Sequence, residues 1–156
     1  MKKDTIVKKQ ILFLLRGGNT HIPVKRAIKN YPIKIINQKI SGVEYTPYQL
    51  LDHLARAQRD FLGFISDPKH QSPEWPKGLW TDKETASGND WKELSEEFFA
   101  GLDEMESLIK NKGVDIFAPI PHAPQYTIYR EALMLASHNS YHLGQLMLMK
   151  KALSEK

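Results

Sequence analysis

The amino-acid sequence predicts an all-α protein, most simply a four-helix bundle with a long crossover loop between its second and third helices. Four segments repeat apolar residues at steps of three and four, the spacing that places them on one face of an α-helix. Alternating strand patterns are scarce, and the only serious candidate is the short segment Ile33 to Ile40. The chain has 156 residues and no internal repeat, so we expect one domain that spans residues 1–156.

The first helix is predicted at about residues 4–16, and the helical pattern resumes near residues 23–30 after the Gly17-Gly18 break. It ends at Tyr31-Pro32, because the residue before a proline disfavours the helical conformation. We therefore expect one interrupted helical segment at the start of the chain.

The second helix has the clearest start signal, in the sequence YTPYQLLDHL. Thr46 is expected to cap it, Pro47 suits the first helical position, and Gln49 completes a capping box. The helix should continue to about Ser66, where Asp67-Pro68 stops it.

The third and fourth helices make up the second half of the chain. The third is predicted to open near Asn89-Asp90 and to run to about Asn111, with Gly113 as a left-handed C-cap. The fourth is predicted to start near Thr127, after three closely spaced prolines, and to continue to about Leu153.

The segment DPKHQSPEWPKGLWTDKETASG, between the second and third helices, exceeds the roughly 12–15 residues beyond which loops in compact domains are uncommon. Loops of that length are mostly functional or disordered. Trp75 and Trp80 predict that this one packs on the bundle, where they either wall a pocket or simply anchor the loop. The length also allows a crossover that joins parallel helices.

The composition excludes several classes of function. The chain has no cysteine, which excludes disulfides, thiolate metal ligands and a cysteine nucleophile. The net charge of +4 comes from scattered lysines, and the sequence has neither a helix-turn-helix signature nor a dense basic cluster for nucleic acid. No segment approaches the roughly 20 apolar residues of a membrane span, and the apolar run Ile11 to Leu15 is too short for a signal peptide. We expect a cytoplasmic protein that binds neither nucleic acid nor membrane.

Two histidines interrupt the apolar stripe of the fourth helix. His138 and His142 lie four residues apart, in line with Leu135 and Leu146, and so point towards the core. Residues at this spacing lie about 5–6 Å apart at Cβ, close enough for both imidazoles to bind one metal ion. One helix supplies this geometry for two ligands only, and His53, in the apolar stripe of the second helix, can supply a third. Such a set leaves coordination positions open to water or substrate, as in a catalytic metal site.

The residues alone leave two interpretations of these histidines open. A single inward histidine is more often a hydrogen-bonded core residue than a metal ligand, and an HxxxH spacing also arises by chance. Three histidines on two apolar stripes are harder to explain in this way, because each buried imidazole needs hydrogen-bond partners or costs free energy.

Two stretches of the sequence resemble the signature regions of a known family. YTPYQLLDHLARAQRDFL in the second helix and SHNSYHLGQLMLMKKAL in the fourth are similar to those of the DinB superfamily, which includes the YfiT-like metal-dependent hydrolases. The resemblance extends to SPEWPKGLW in the loop and REALML in the fourth helix, and so covers most of the chain. The combination is specific, whereas either part alone would be weak.

The resemblance implies a four-helix bundle with a long crossover after the second helix, commonly assembled as a homodimer. It also implies a divalent metal held by three histidines, which correspond here to His53, His138 and His142. Zinc or nickel is the expected metal, with iron or manganese as the alternatives. Characterised relatives include thiol-dependent transferases and isomerases that use small cellular thiols, and many members have no assigned reaction.

Two classes of function remain after this comparison. One is a metal-dependent enzyme, a hydrolase or a thiol-linked transferase that acts on a small molecule, in which any thiol must come from a cosubstrate. The other is a non-catalytic metal-binding or stress-associated dimer whose metal is structural. Open coordination positions favour the enzyme, and a fourth protein ligand such as His122 or Glu131 would favour the structural role.

Three further residues are candidates for the site. Glu131 precedes His138 by seven residues, two turns away on the same face, and is the first candidate for general base. As an acid in the first helical turn, it can instead be exposed and stabilised by the helix dipole. His122 and His21 lie in loops that could reach the mouth of the site, although solvent exposure is the usual state of a loop histidine.

Overall fold

The computed structural model of the chain describes residues 3–18 and 20–154, and this part is mostly helical. Its helices are α1 (Lys3–Arg16), α2 (Val24–Lys29), α3 (Pro47–Ser66), α4 (Gly88–Lys110) and α5 (Ile128–Ser154). Its two strands, β1 (Pro119–Ile120) and β2 (Ala123–Thr127), form one antiparallel pair. The predicted predominance of helix is confirmed, and a small sheet that the sequence did not predict is added to it.

The four long helices pack against one another: α3 contacts both α4 and α5, and α1 contacts the same two helices. Fully buried leucines and aromatic residues fill the space between them, including Leu50, Leu54, Phe98, Leu102, Leu135 and Leu146. Each such side chain contributes about 1.5–3 kcal/mol when it is removed from water. This packing brings α3, which carries His53, directly against α5, which carries His138 and His142.

The start of α3 follows the predicted capping box. The backbone N–H of Gln49 donates to Thr46 Oγ1 at 3.2 Å, and the backbone N–H of Thr46 donates to Gln49 Oε1 at 3.0 Å. Pro47 occupies the first helical position, where its missing N–H leaves no hydrogen bond unmade. A cap of this kind contributes about 1 kcal/mol and fixes where the helix that carries His53 begins.

Two local predictions are wrong. Gly113 is not a left-handed C-cap, because α4 ends at Lys110 and Asn111 leaves it with extended backbone angles. The side chain of Asn111 accepts a hydrogen bond from the Gly113 N–H at 2.8 Å, so an Asx turn replaces the expected glycine cap. Among the described residues, positive φ values occur only at Gly17, Gly18 and Gly42.

The candidate strand Ile33 to Ile40 does not form either, and a short 3₁₀ turn at Ile33–Ile35 takes its place. The backbone N–H groups of Ile35 and Ile36 donate to the nearby carbonyls of Pro32 and Ile33 rather than to a neighbouring strand. Ile35 and Ile36 are both buried, so the apolar run fills the core from a turn.

The strand pair lies instead within residues 119–127, where three prolines had indicated only a loop. Proline is tolerated at a sheet edge because its missing N–H need not face a partner strand. In the described part of the chain, no helix is long and apolar enough to cross a membrane.

Candidate metal centre

Three imidazoles converge where α3 packs on α5. His53 Nε2 lies 3.1 Å from His138 Nε2 and 3.2 Å from His142 Nε2. His53 and His142 are buried, and His138 is partly buried. The one-turn spacing of His138 and His142 on α5 presents both rings to the same face, and the inward position of His53 completes the set. Among the described residues, these three form the group of side chains that could hold a metal ion.

The hydrogen bonds on the outer sides of two rings determine which nitrogen carries the proton. His53 Nδ1 lies 2.9 Å from the carbonyl oxygen of Leu79, and His142 Nδ1 lies 2.6 Å from Gln145 Oε1. Because both oxygens can only accept, each Nδ1 donates its proton and each Nε2 is left with a lone pair. Metal-bound histidines are oriented in this way by carbonyl and carboxylate partners.

Two nitrogen lone pairs therefore face each other at 3.2 Å, between His53 and His142. Without a cation between them, this contact is repulsive and unsatisfied. Two nitrogens that are each about 2.0–2.1 Å from one metal ion lie roughly 3 Å apart, which agrees with the observed separations. The donor set and its protonation thus fit a divalent transition metal.

His138 differs from the other two histidines in its outer nitrogen, Nδ1. Its Nδ1 is buried and has no hydrogen-bond partner within the described residues. Nε2 is the atom that lies close to His53. Binding of a metal ion at Nε2 would place the ring proton of His138 on Nδ1.

The environment keeps all three imidazoles neutral. Burial, together with the neighbouring rings of His142 and His53, lowers the pKa of His138 from 6.5 to about 4. Burial also lowers the pKa of His53 and of His142, against the opposing hydrogen bonds to Leu79 and Gln145. Neutral imidazole is the form that binds metal, so the site is competent at neutral pH without first losing protons.

The three histidines line a pocket of about 440 Å³. The remainder of its wall is largely apolar and comes from α3 and from the loop after it, namely Ala57, Asp60, Phe61, Trp75, Pro76, Leu79 and Trp80. A pocket of this size holds a small molecule, and an apolar wall with few convergent polar groups is typical of ligand sites.

The two loop tryptophans take different places in this wall. Trp80 stacks on His53, with ring centroids 4.1 Å apart and planes inclined by 5°. Trp75 lines the same pocket and is 80% exposed, so it stands at the mouth. The long loop thus contacts His53 directly, through the Trp80 ring and the Leu79 carbonyl.

A comparison with protein families identifies the chain. The family model described as DinB superfamily matches residues 29–146, which include all three histidines. The chain belongs to the DinB superfamily. Searches of curated proteins and of solved structures gave no significant match.

The other residues that the sequence proposed for this DinB-superfamily site lie away from the pocket lining. Glu131 is buried and its Oε1 accepts a hydrogen bond from Arg130 Nη1 at 2.6 Å, so it is not the exposed first-turn acid of the alternative interpretation. His122 Nε2 donates to the carbonyl oxygen of Phe64 at 2.7 Å.

His21 lies near another part of α5. Its Nε2 is 3.2 Å from Ser140 Oγ, and its Nδ1 donates to the carbonyl oxygen of Ile22 at 2.9 Å. None of Glu131, His122 and His21 belongs to the three-histidine group.

The structure adds three groups that the sequence did not assign to the site. Asp60 lines the pocket, and its spacing of seven residues from His53 on α3 is a signal that could have identified it. The carbonyl of Leu79 has no signature in a sequence, because every residue carries one. Gln145 follows His142 by three residues, the spacing at which two side chains on a helix meet.

Proposed function

We propose that this DinB-superfamily protein is a metal-dependent enzyme, a hydrolase or a small-thiol-dependent transferase, that acts on a small molecule. The proposal includes a four-helix bundle in which the loop between α3 and α4 is the crossover. The observation that carries it is the convergence of three neutral imidazoles on the wall of an apolar pocket. A site with three protein ligands beside a pocket has the form of a catalytic rather than a structural metal site.

Zinc or nickel is the metal we propose, and iron or manganese is the alternative. Bound here, such an ion would polarise a substrate oxygen and lower the pKa of water to about 7, or favour the thiolate form of a thiol. His53, His138 and His142 would hold it, while Leu79 and Gln145 keep two of the rings in their protonation states.

The residues around the histidines define what the pocket can take. Phe61, Trp75 and Trp80 offer apolar surface to a substrate and exclude water from the reacting groups. No lysine or arginine is among the described residues that line the pocket, so a substrate with an apolar body and no strong negative charge fits best. The chain has no cysteine, so a thiol in the reaction would come from a cosubstrate.

The experiment is a screen of small esters, amides and electrophilic compounds with the metal-loaded protein, each with and without a small thiol. We expect turnover that disappears in the metal-free protein and returns when metal is added. Turnover that needs the thiol identifies a transferase, and turnover without it identifies a hydrolase. Activity that survives complete and verified metal removal would rule out the proposed mechanism, and metal loading without any turnover would favour a structural metal.

We also propose a homodimer that forms through the exposed face of α5. Met134, Tyr141 and Leu148 follow each other at steps of seven and are 46%, 66% and 61% exposed. Ser137 and Gly144 lie between them on the same face. A Cβ atom at Gly144 would meet no atom of the described residues within 4 Å, apart from the backbone of its own helix, although a mid-helix glycine costs about 1 kcal/mol. If a second α5 helix approached closely, Gly144 would leave room for it and the apolar stripe would be buried.

The substitution Leu148→Glu is expected to convert the dimer to the monomer, because it places a charge in the apolar contact. Light scattering coupled to gel filtration should show a mass of twice the 18.0 kDa chain for the wild type and one chain for the variant. Phe13→Glu is the matched control, since Phe13 is 59% exposed on α1. A monomeric wild type would contradict this part of the proposal.

A further inference from the structure

We propose that Asp60 is the proton acceptor of the histidine pocket and that His70 holds its carboxylate in position. This inference rests on the proposed metal-dependent function and assigns the one chemical task that the three metal ligands leave undone. A nucleophile, whether water or a thiol, must lose a proton before or while it attacks.

Asp60 lines the same pocket as the three histidines. It lies on α3 seven residues after His53, which is two helical turns along the same face. It is the only acid among the described residues that line the pocket with His53, His138 and His142. The other lining side chains are apolar, so a carboxylate oxygen is the strongest base available there once the imidazoles bind metal.

The three histidines cannot take the proton themselves. Their Nε2 atoms converge on the metal position. The Nδ1 atoms of His53 and His142 already donate to oxygen. Glu131 is the other candidate base, but it is buried in a hydrogen bond with Arg130 and does not line the pocket.

His70 fixes the direction of the Asp60 carboxylate. His70 Nε2 donates to Asp60 Oδ1 at 2.7 Å, and the backbone N–H of His70 donates to the carbonyl oxygen of Asp67 at 3.0 Å. Its ring lies against Gly63, where a Cβ atom would come within 2.5 Å of His70 Nδ1. A glycine one turn after Asp60 therefore leaves the space that this imidazole occupies.

The second oxygen of the carboxylate remains available. Among the described residues, no hydrogen bond to Asp60 Oδ2 accompanies the one to Oδ1. The nearby arginines are engaged elsewhere, since Arg56 pairs with Asp52 and Arg59 pairs with Glu97. Among the described residues, Asp60 therefore pairs with His70 and with no arginine.

Asp60 and His70 also line a groove of about 190 Å³, together with Arg56, Arg59, Gln71, Pro73 and Gly78. Asp60 therefore borders both the histidine pocket and this groove. In the step we propose, the O–H or S–H bond of the nucleophile breaks and its electron pair stays on oxygen or sulfur for the attack. The proton binds Asp60 Oδ2, and the neutral acid then returns it to the leaving group or to solvent through the groove.

The test uses the cobalt(II)-loaded protein, whose visible absorption reports the metal and its acid–base transition. Asp60→Asn keeps the shape of the side chain and removes its charge, and Asp82→Asn, at an exposed loop position, is the matched control. The negative charge of Asp60 disfavours loss of a proton beside it. We therefore expect Asp60→Asn to lower the midpoint of the transition by at least about 0.5 pH unit, and Asp82→Asn to leave it unchanged.

The second readout is cleavage of 4-nitrophenyl acetate by the same samples. Loss of a general base typically costs 10²- to 10⁴-fold, so we expect a fall of at least about 100-fold in Asp60→Asn, partly restored by added formate. His70→Ala should show a smaller loss, and His70→Gln, which keeps an N–H donor, should recover part of it. If the ester is not cleaved, the absorption midpoint decides alone.

The outcomes separate this inference from the proposed function. Failure of cobalt to bind the wild type would contradict the metal site itself. Normal cobalt binding, with Asp60→Asn equal to Asp82→Asn in midpoint and in any ester cleavage, would overturn the role of Asp60 and leave the metal site intact.

Discussion

Replacing any one of the three histidines with alanine is expected to weaken metal binding by more than about 100-fold. Loss of a hydrogen-bond partner outside the ligand set alone costs about 10- to 100-fold, and loss of a ligand removes a metal bond outright. The measurement is a titration of metal-free protein with zinc and with nickel, in competition with a coloured chelator, for His53→Ala, His138→Ala and His142→Ala.

Two further variants test whether the loss of affinity is specific to the three-histidine site. Gln145→Ala leaves the ligands in place but removes the oxygen that accepts from His142 Nδ1, so we expect an intermediate loss of about 10- to 100-fold. His122→Ala is the control, because His122 bonds to the Phe64 carbonyl away from the pocket lining and should leave the affinity unchanged. Equal affinities in the wild type and in all three ligand variants, with circular dichroism showing folded proteins, would contradict the assignment.

Removal of the metal is expected to lower the melting temperature by about 8–16 °C. A ligand at 1,000 times its dissociation constant adds about 4 kcal/mol to the stability of the native state. For a domain of about 150 residues, each kcal/mol corresponds to about 2–4 °C. The metal would link α3 to α5, because it would bind the nitrogen lone pairs of His53 and His142, which otherwise face each other and repel.

Scanning calorimetry of the loaded and chelator-treated protein measures this difference. His138→Ala supplies the control, because a chelator should not change the melting temperature of a variant that binds no metal. A wild type that melts at the same temperature with and without metal would show that the ion does not couple the two helices.

The positions of His53, His138 and His142 could be predicted from the sequence because helical spacing decides them. Residues four apart on one helix must share a face, so the apolar stripe around His138 and His142 already placed both rings in the core. The capping signals at Thr46 and Gln49 predicted where α3 begins, and the apolar residues spaced around His53 predicted that it lies on the inward face.

The groups that form hydrogen bonds with the pocket side chains could not be predicted in this way. The Leu79 carbonyl is backbone, and its approach to His53 depends on how the long loop folds back on α3. His70 meets Asp60 through a turn that only the tertiary structure defines. Spacing along a helix gives no information on contacts made by a loop, so these partners could not be predicted.

The wrong local predictions have the same origin. Gly113 and the Ile33 to Ile40 segment carry ordinary signals for a C-cap and for a strand. In the first case, the side chain of Asn111 offers a competing hydrogen bond. In the second, the core accepts Ile35 and Ile36 from a turn, and tertiary packing decides the outcome.

The most direct test of the three-histidine metal site is elemental analysis of protein purified without an affinity tag. We expect about one transition-metal ion per chain in the wild type and none in His138→Ala. Chelator-treated wild type should regain one ion per chain when metal is returned. Wild-type protein that is metal-free and cannot be reconstituted would contradict it.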